Sequence, residues 1–331
     1  MVTVFIQFAD GRTSRATDVA TIVAAARDPG ARFWIDMERW TEEELTILDE
    51  VFGFHPLTIE DTMQYSQRPK IESYNHVGDA FKQGYFYMVI HGPDQETFRE
   101  RLQTKELDIF VSERYLITIH EEPMQSVTAV RNRAAADPRL VLEPGIDMLL
   151  HALLDHLVDN YRPILDYLEV ELDNLEEEAL TNPTPELLVR IAGKKRELLN
   201  FRRIIAPQRD VLAQLTRGEV PFIRESTRIY LRDVQDHLVR TVEMVELYRD
   251  LILGARDLYL STVNNNLNAI MKALTMISVV GLPLTVVTSF FGMNFEQITT
   301  LRSPWAFWGA VAFMFAMVGI MLTWFRHKNW I

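Results

Sequence analysis

The sequence contains no cysteine among its 331 residues. Disulfide bonds and thiolate metal sites are therefore excluded. Positive charge is also in short supply, because 34 Lys and Arg stand against 46 Asp and Glu and give a formal net charge of −12. A chain this acidic is poorly suited to the phosphate backbone of nucleic acid, and we expect no nucleic-acid partner. The same charge is compatible with a protein that handles cations.

Signals for secretion and for catalysis are missing as well. The first 13 residues have no basic segment and too short an apolar run for a signal peptide, so the large N-terminal part is expected to stay where it is made. There is no glycine-rich nucleotide loop. No Ser/His/Asp or Cys/His constellation can be argued either. We therefore expect a protein that is not an enzyme and does not use ATP.

Short strand-like and helical patterns alternate in residues 1–123. Residues 41–54 have helical spacing and begin on Thr41 with Glu44 three residues later, which is a capping box. Segments rich in aromatic and β-branched residues predict strands at Val2–Phe8, Arg32–Met37, Lys70–Tyr74, Gly84–His91, Leu107–Val111 and Tyr115–His120. Because few helices separate the late strands, we predict an α/β domain on a mostly antiparallel or mixed sheet.

Strand signals stop near residue 124, and long helical segments follow. Within 124–221 the spacing of apolar residues predicts helices at Val127–Ala136, Ile146–Leu180 and Glu186–Leu215. A stalk helix is predicted over 222–270. It meets no proline until Pro283, and it would be about 100 Å long if it continued to Phe291. The fold class expected from these patterns is an α+β membrane protein.

Two long apolar segments follow the stalk. The first is uncharged from Ala273 to Phe295 and the second from Ser303 to Phe325, and about 20 such residues cross a bilayer. Three tryptophans near the ends of the second segment are typical of a membrane interface: Trp305, Trp308 and Trp324. We predict two transmembrane helices in contact with lipid, at 271–294 and 304–325. An external loop at 295–303 joins them, and a basic tail follows at 326–331.

The positive charges around these segments predict their orientation. Lys272 precedes the hairpin, Arg326 and Lys328 follow it, and the loop between the spans contains only Arg302. Since cytoplasmic flanks carry the excess of Lys and Arg, both termini are predicted to be cytoplasmic in a multi-pass inner-membrane protein.

A stripe of polar residues runs through the first apolar segment. Its members recur at steps of three, four or seven and so share one side of a helix: Asn268, Thr275, Ser278, Thr285 and Ser289. Amides and hydroxyls inside a bilayer serve either as contacts between helices or as the lining of a water-filled path. The stripe alone favours neither interpretation.

The segment Gly292-Met293-Asn294 stands at the outer end of the first span. With its companions it resembles the CorA family of divalent-cation (Mg²⁺/Co²⁺) channels, which carry this Gly-Met-Asn motif. The resemblance covers nearly the whole chain. Its further segments are Phe54-His55-Pro56-Leu57, Glu60-Asp61, Arg68-Pro69-Lys70, Met271-Lys272, Leu282-Pro283-Leu284-Thr285 and Lys328-Asn329-Trp330.

The resemblance implies a homopentamer around a pore that passes Mg²⁺ and also Co²⁺ or Ni²⁺. Gly292, Met293 and Asn294 would form the selectivity filter, with Glu296 at the entrance. Because Mg²⁺ holds its waters tightly, a ring of neutral amide oxygens can accept hydrogen bonds from the hydrated ion. The implied pore lining is Asn268, Ser278 and Thr285, and the implied hydrophobic gate is Met271 and Leu274. The alternatives are that Gly292 and Asn294 only cap a helix and that Met271 and Leu274 only pack.

The resemblance also implies regulatory metal sites between subunits. Taken alone, the acidic residues concerned would be solvated surface charges. Facing carboxylates repel unless a cation lies between them, so bound cytosolic Mg²⁺ would hold the ring closed. The residues carried over are Glu60, Asp61, Asp155, Asp233, His237 and Asp257.

One departure and two rival functions remain. After Glu296 the family commonly continues Met-Pro-Glu-Leu nearby, whereas this chain has Gln297-Ile298-Thr299-Thr300-Leu301, so Thr300 replaces a loop carboxylate. That exchange weakens electrostatic capture of cations at the entrance.

The first rival function is that of a zinc transporter of the same superfamily, and the second is that of a membrane-anchored oligomeric sensor.

Overall fold

The computed structural model describes residues 2–17, 21–23, 25, 28–64, 68–74, 84–293, 304–328 and 330. The chain divides into two compact units. The first consists of Met1–Glu178 with Thr184–Arg256, and the second of Ala179–Pro183 with Asp257–Ile331.

A seven-stranded mixed sheet lies at the centre of the first unit. Its strands are β1 (Val2–Gln7), β2 (Thr13–Ala16), β3 (Arg32–Glu38), β4 (Lys70–Tyr74), β5 (Tyr85–Pro93), β6 (Thr104–Val111) and β7 (Tyr115–His120). Their order is β2-β1-β3-β7-β6-β5-β4. Only β3 and β7 run parallel, with Phe33 beside Tyr115, and the other neighbouring pairs of these strands are antiparallel. The prediction of a mixed sheet is confirmed.

The central strands are covered on both faces. All residues of β5 and β7 are buried, polar ones included. One face packs an aromatic cluster, in which Phe54 lies 4.4 Å from both Tyr85 and Phe110 between ring centroids. Strands buried on both faces read as nearly continuous apolar runs, which is why the sequence predicts them well.

Two short helices follow β3. Helix α1 (Glu42–Glu50) begins with the predicted capping box, in which the Glu44 amide donates to Thr41 Oγ1 at 3.2 Å and the Thr41 amide donates to Glu44 Oε2 at 3.0 Å. Helix α2 (Pro56–Met63) has proline in its first turn, where the missing N–H costs nothing. The buried residues of α2 are polar, Thr58 and Thr62, so the helix has no apolar periodicity for the sequence to reveal.

Six further helices, of 4 to 67 residues, are described after the sheet, and the last of them begins in the first unit. They are α3 (Gln125–Ala136), α4 (Arg139–Leu142), α5 (Ile146–Asp159), α6 (Arg162–Thr181), α7 (Pro185–Arg217) and α8 (Glu225–Phe291). Helices α5 and α7 pack against the sheet. The prediction of one helix over Ile146–Leu180 was wrong, because α5 ends at Asp159. Pro163 in the first turn of α6 has no N–H to continue the ladder.

A buried charged contact joins the starts of α5 and α8. The carboxylate of Asp147 accepts hydrogen bonds from Arg224 Nε at 2.8 Å, from the Arg224 amide at 3.1 Å and from Thr227 Oγ1 at 2.6 Å. Burial alone would raise the pKa of Asp147, but the hydrogen bonds from Arg224 and Thr227 outweigh it and lower that pKa. The ionised carboxylate therefore stabilises the folded state.

We expect Asp147→Asn to lower the melting temperature of the full-length protein in detergent by roughly 6–12 °C. Removing the charge of this buried carboxylate, which accepts from Arg224 and Thr227, costs about 3 kcal/mol, and a domain of about 250 residues, such as the first unit, loses about 2–4 °C per kcal/mol. Because the folded-state pKa is lowered, the contribution is complete above the unfolded value of about 3.9 and disappears as the pH falls through the folded value. The difference in melting temperature should therefore shrink below pH 4.

The matched control is Asp250→Asn, since Asp250 pairs with Arg249 on the surface with 62% of its side chain exposed. Exposed pairs contribute about 0–1 kcal/mol, so this variant should melt within a few degrees of wild type. Equal melting temperatures for wild type and Asp147→Asn at neutral pH would contradict the assignment.

The second unit contains the end of α8 and helix α9 (Pro304–His327). Both helices are long and apolar enough to cross a membrane, and none of the apolar window in either is buried inside the chain. Pro283 lies inside α8, where a membrane helix can tolerate it. The fold prediction of a soluble α/β domain, a long helix and two apolar C-terminal helices is confirmed.

Candidate functional site

The predicted pore residues lie along one exposed side of α8. Half-buried apolar residues of the apolar segment define the covered side: Met276, Val280, Pro283, Leu284 and Val287. At about 100° per residue, the exposed stripe lies roughly opposite them. Its members are Asn268, Met271, Leu274, Ser278 and Thr285. The stripe is therefore exposed in the single chain, as a surface shared between copies would be.

The threonine hydroxyls of this segment donate to carbonyls of their own helix. Thr275 Oγ1 donates to the Met271 carbonyl at 2.7 Å, and Thr285 Oγ1 donates to the Gly281 carbonyl at 2.9 Å. Each hydroxyl proton is thereby used, and what remains available is the acceptor capacity of the oxygen. Such oxygens suit the water shell of a cation, because coordinated waters act as donors.

The C-terminal end of α8 is closed by a tight turn. The Gly292 amide donates to the carbonyls of Thr288 at 3.0 Å and Ser289 at 3.1 Å. A Cβ at position 292 would stand 3.3 Å from the Thr288 oxygen, so glycine permits this close approach of the backbone. Met293 is exposed. Asn294 and Glu296, the other residues predicted for the filter and its entrance, lie outside the described residues.

Three of the predicted regulatory residues come together between α5 and α8. His237 Nε2 lies 4.0 Å from Asp233 Oδ1, and His237 Nδ1 lies 3.7 Å from Asp159 Oδ1. Asp155 is one helical turn before Asp159. Both Asp155 and Asp233 act electrostatically on His151, whose pKa is nevertheless lowered because burial is the larger effect.

Sequence reasoning did not assign His151 or Asp159 to this group. Their spacing was visible, since residues 151, 155 and 159 follow one another at four-residue steps on α5. The group on α5 and α8 is open to solvent, with 40% of His237, 61% of Asp159 and 72% of Asp233 exposed. It is therefore accessible to ions from solvent.

The remaining predicted regulatory residues are placed elsewhere. On α2, Asp61 pairs with the Lys70 ammonium and Glu60 Oε1 accepts from Gln64 Nε2 at 3.0 Å. Burial would lower the pKa of Lys70, but the hydrogen bond to Asp61 and the nearby Glu72 raise it overall. Asp257 is exposed on α8 in the second unit. Among the described residues, no three His, Asp or Glu side chains already form a metal site.

A soluble α/β domain, a long helix and two apolar helices long enough to span a bilayer are the parts of a membrane protein with a large soluble domain. Residues 31–327 match the model of the family described as CorA-like Mg²⁺ transporter protein. The chain belongs to this family, and the resemblance seen in the sequence is confirmed.

Known proteins similar to this chain agree with the assignment. It is 34% identical to the putative metal ion transporter YfjQ of Bacillus subtilis over 91% of this chain and 90% of that protein. It is 32% identical to the cobalt/magnesium transport protein CorA of Thermotoga maritima over 97% and 89%. The complete structure of the CorA magnesium transporter from Methanocaldococcus jannaschii superposes with a TM-score of 0.81 at 25% identity, covering 100% of this chain and 99% of that one.

Proposed function

We propose that the protein is a passive Mg²⁺ channel of the inner membrane, also able to pass Co²⁺ or Ni²⁺. The observation that carries the proposal is the exposed stripe of α8, whose threonine oxygens are left as acceptors, in a chain of this family. We expect no enzymatic activity. The family relationship supports a divalent cation as the transported species.

The pore would be formed by five copies of α8 around one axis. A single chain supplies one Asn294, so a ring of amide oxygens requires symmetric copies. Gly292, Met293 and Asn294 would hold the hydrated ion at the outer end, with Glu296 attracting cations to the entrance. Farther inside, the oxygens of Asn268, Ser278 and Thr285 would accept from the waters of the ion.

The gate would be a hydrophobic ring of Met271 and Leu274. Both side chains are more than half exposed in the single chain, at 58% and 55%, so neither is used in packing its own fold. Five copies facing one axis would exclude water from the constriction. Small movements of the stalk would then switch the path between wet and dry.

The proposed division of the chain follows from this arrangement. Residues 1–123, 124–221 and 222–270 would be the cytoplasmic α/β domain, the long helices and the stalk. Residues 271–294 and 304–325 would cross the membrane, joined by an external loop at 295–303. The basic tail, 326–331, would return to the cytoplasm.

Cytosolic Mg²⁺ would regulate the pore by linking subunits. Glu60 and Asp61 of one subunit would face the Asp155, Asp233 and His237 group of the next, with Asp257 further along α8. The ion pair between Lys70 and Asp61 leaves that carboxylate partly neutralised when no metal is bound. Metal binding would therefore compete with Lys70 for Asp61.

Transport should follow the membrane potential alone. An inside-negative potential of 100 mV favours entry of a divalent ion by about 4.6 kcal/mol, which is about a 10³-fold concentration ratio. Proteoliposomes of the full-length protein, with a K⁺ diffusion potential and no ATP, should accumulate Mg²⁺ to an inside-to-outside ratio whose logarithm rises in proportion to that potential. Parallel vesicles with Co²⁺, Ni²⁺ or Zn²⁺ give the ion preference.

The outcomes separate the rival functions. Mg²⁺ flux with slower or absent Zn²⁺ flux supports the proposal, whereas Zn²⁺ flux without Mg²⁺ flux would assign the protein as a zinc transporter. If vesicles that contain the protein take up none of the four ions faster than protein-free vesicles, only the membrane-anchored sensor remains as a function.

A further inference from the structure

A cleft lies in the second unit where the polar part of α8 meets its apolar part. It has a volume of about 610 Å³ and lies between α8 and the residue Trp330 that follows α9. The α8 side is lined by Asn265, Asn268, Ala269, Met271, Lys272, Thr275 and Met276. Around the axis of α8, Lys272 lies about 100° from Met271 and Met276 about 140°, so the centre of the cleft lies beside the stripe assigned to the pore.

The tail is held in place against the end of α9. The Trp330 amide donates to the Phe325 carbonyl at 3.0 Å, and the two rings stack with centroids 5.6 Å apart and planes 13° from parallel. Phe325 is only 1% exposed, whereas Phe307, Phe313 and Phe315 of the same helix are more than half exposed. Trp330 therefore forms a fixed wall of the cleft.

Positive charge at this end of the hairpin is not neutralised by the hairpin itself. From residue 258 to 331 the sequence has one acidic residue, Glu296, which is 24 residues after Lys272 and 30 residues before Arg326. Within the part of the chain that the structure describes, Lys272, Arg326 and Lys328 make no ion pair with a carboxylate. Lys272 lines the cleft, and Arg326 and Lys328 flank the contact between Phe325 and Trp330.

The lining is polar at one end and apolar at the other. The Lys272 ammonium and the Asn265 amide can donate to a phosphate, whereas Met276 and the Trp330 ring offer apolar surface. Indole rings of this kind prefer the level of lipid headgroups. A small soluble anion would use only the first set of groups, but a phospholipid would use both.

We propose that this cleft binds the headgroup of an anionic phospholipid. The phosphate would accept hydrogen bonds from Lys272 and the Asn265 amide, and the upper acyl chain would lie along Met276 and Trp330. The nearby Arg326 and Lys328 would favour a lipid with net negative charge over a zwitterionic one. The inference does not depend on which ion the protein conducts.

Native mass spectrometry of the full-length protein in detergent tests the site. Phosphatidylglycerol and phosphatidylcholine with the same acyl chains are titrated separately, and inorganic phosphate is added as a competitor. Wild type should bind phosphatidylglycerol at least fivefold more tightly than phosphatidylcholine. Lys272→Gln should lose about fivefold for phosphatidylglycerol alone, since one cation near such a surface contributes about that factor. Trp330→Ala should weaken both lipids.

The matched controls keep the same exchange away from the cleft. Arg302→Gln removes a cation from the loop, and Trp308→Ala removes an exposed indole near the start of α9, so neither should change the preference. Equal binding of the two lipids to wild type would overturn the proposal, as would an unchanged preference in Lys272→Gln. Displacement of phosphatidylglycerol by equimolar inorganic phosphate would assign the cleft to free phosphate and also overturn it.

Discussion

Replacing Asn294 with alanine should reduce Mg²⁺ flux into proteoliposomes by at least tenfold while leaving the protein assembled. The proposed filter depends on the side-chain oxygen of residue 294, and every copy in the proposed pentamer would lose it at once. Without that ring, the hydrated ion exchanges bulk water for a surface with fewer acceptors, and entry into the pore becomes unfavourable. The loss should appear as a lower rate at every Mg²⁺ concentration, because the site that admits the ion has been removed.

The matched control is Asn266→Ala, which removes an exposed amide from α8 two residues before Asn268 and therefore from a different side of the helix. Its flux should equal that of wild type. Size-exclusion profiles and melting temperatures of the two variants should also agree. Equal flux in wild type and Asn294→Ala would contradict the filter assignment. It would favour the alternative that Gly292 and Asn294 only cap the helix.

The inner strands of the sheet were largely predictable because they are buried on both faces. The predicted bounds of β7 agree with the structure, and those of β5 differ by one or two residues. The predicted bounds of β4 also agree, although none of its residues is buried. The edge strand β2 was not predicted. Its sequence Thr-Ser-Arg-Ala has little apolar character, and its conformation depends on pairing with β1, as Val4 does with Ala16.

The helices show which local signals carry information. The capping box at Thr41 is purely local and was predicted correctly. The break before α6 also had a local signal in Pro163, but the strong apolar periodicity on either side concealed it. Tyr161 at the break is fixed by a distant contact, since its hydroxyl donates to the His91 carbonyl at 2.6 Å. That part of the explanation requires the tertiary structure.

The candidate sites also contain features that the sequence of one helix reveals and features that depend on the tertiary structure. The stripe of α8 is a property of one helix, and its spacing could be derived from the sequence. The proximity of Asp159 and His237 could not, because they are far apart in the chain and meet only when α5 packs beside α8. The ion pair between Lys70 and Asp61 likewise depends on how α2 lies next to β4. Comparing motifs therefore cannot reveal that a predicted metal ligand, here Asp61, is paired with a lysine of its own chain.

Removing Asp155 and Asp233 together should make the channel far less sensitive to internal Mg²⁺. With both carboxylates changed to asparagine, we expect the internal Mg²⁺ concentration that halves the flux to rise by about tenfold or more, because affinity for such an ion depends on the number of charged ligands. Flux in the absence of internal Mg²⁺ should remain that of wild type. The measurement is flux into proteoliposomes loaded with graded Mg²⁺.

The control for charge is the double variant Asp210→Asn and Asp250→Asn, which removes two exposed carboxylates that pair with adjacent arginines. It changes the net charge equally but leaves the group on α5 and α8 intact, so its inhibition curve should match wild type. A shift of equal size in both double variants would show a general effect of charge on the local ion concentration. No shift in either would contradict regulation at Asp155 and Asp233, while the pore assignment, tested separately at Asn294, would stand.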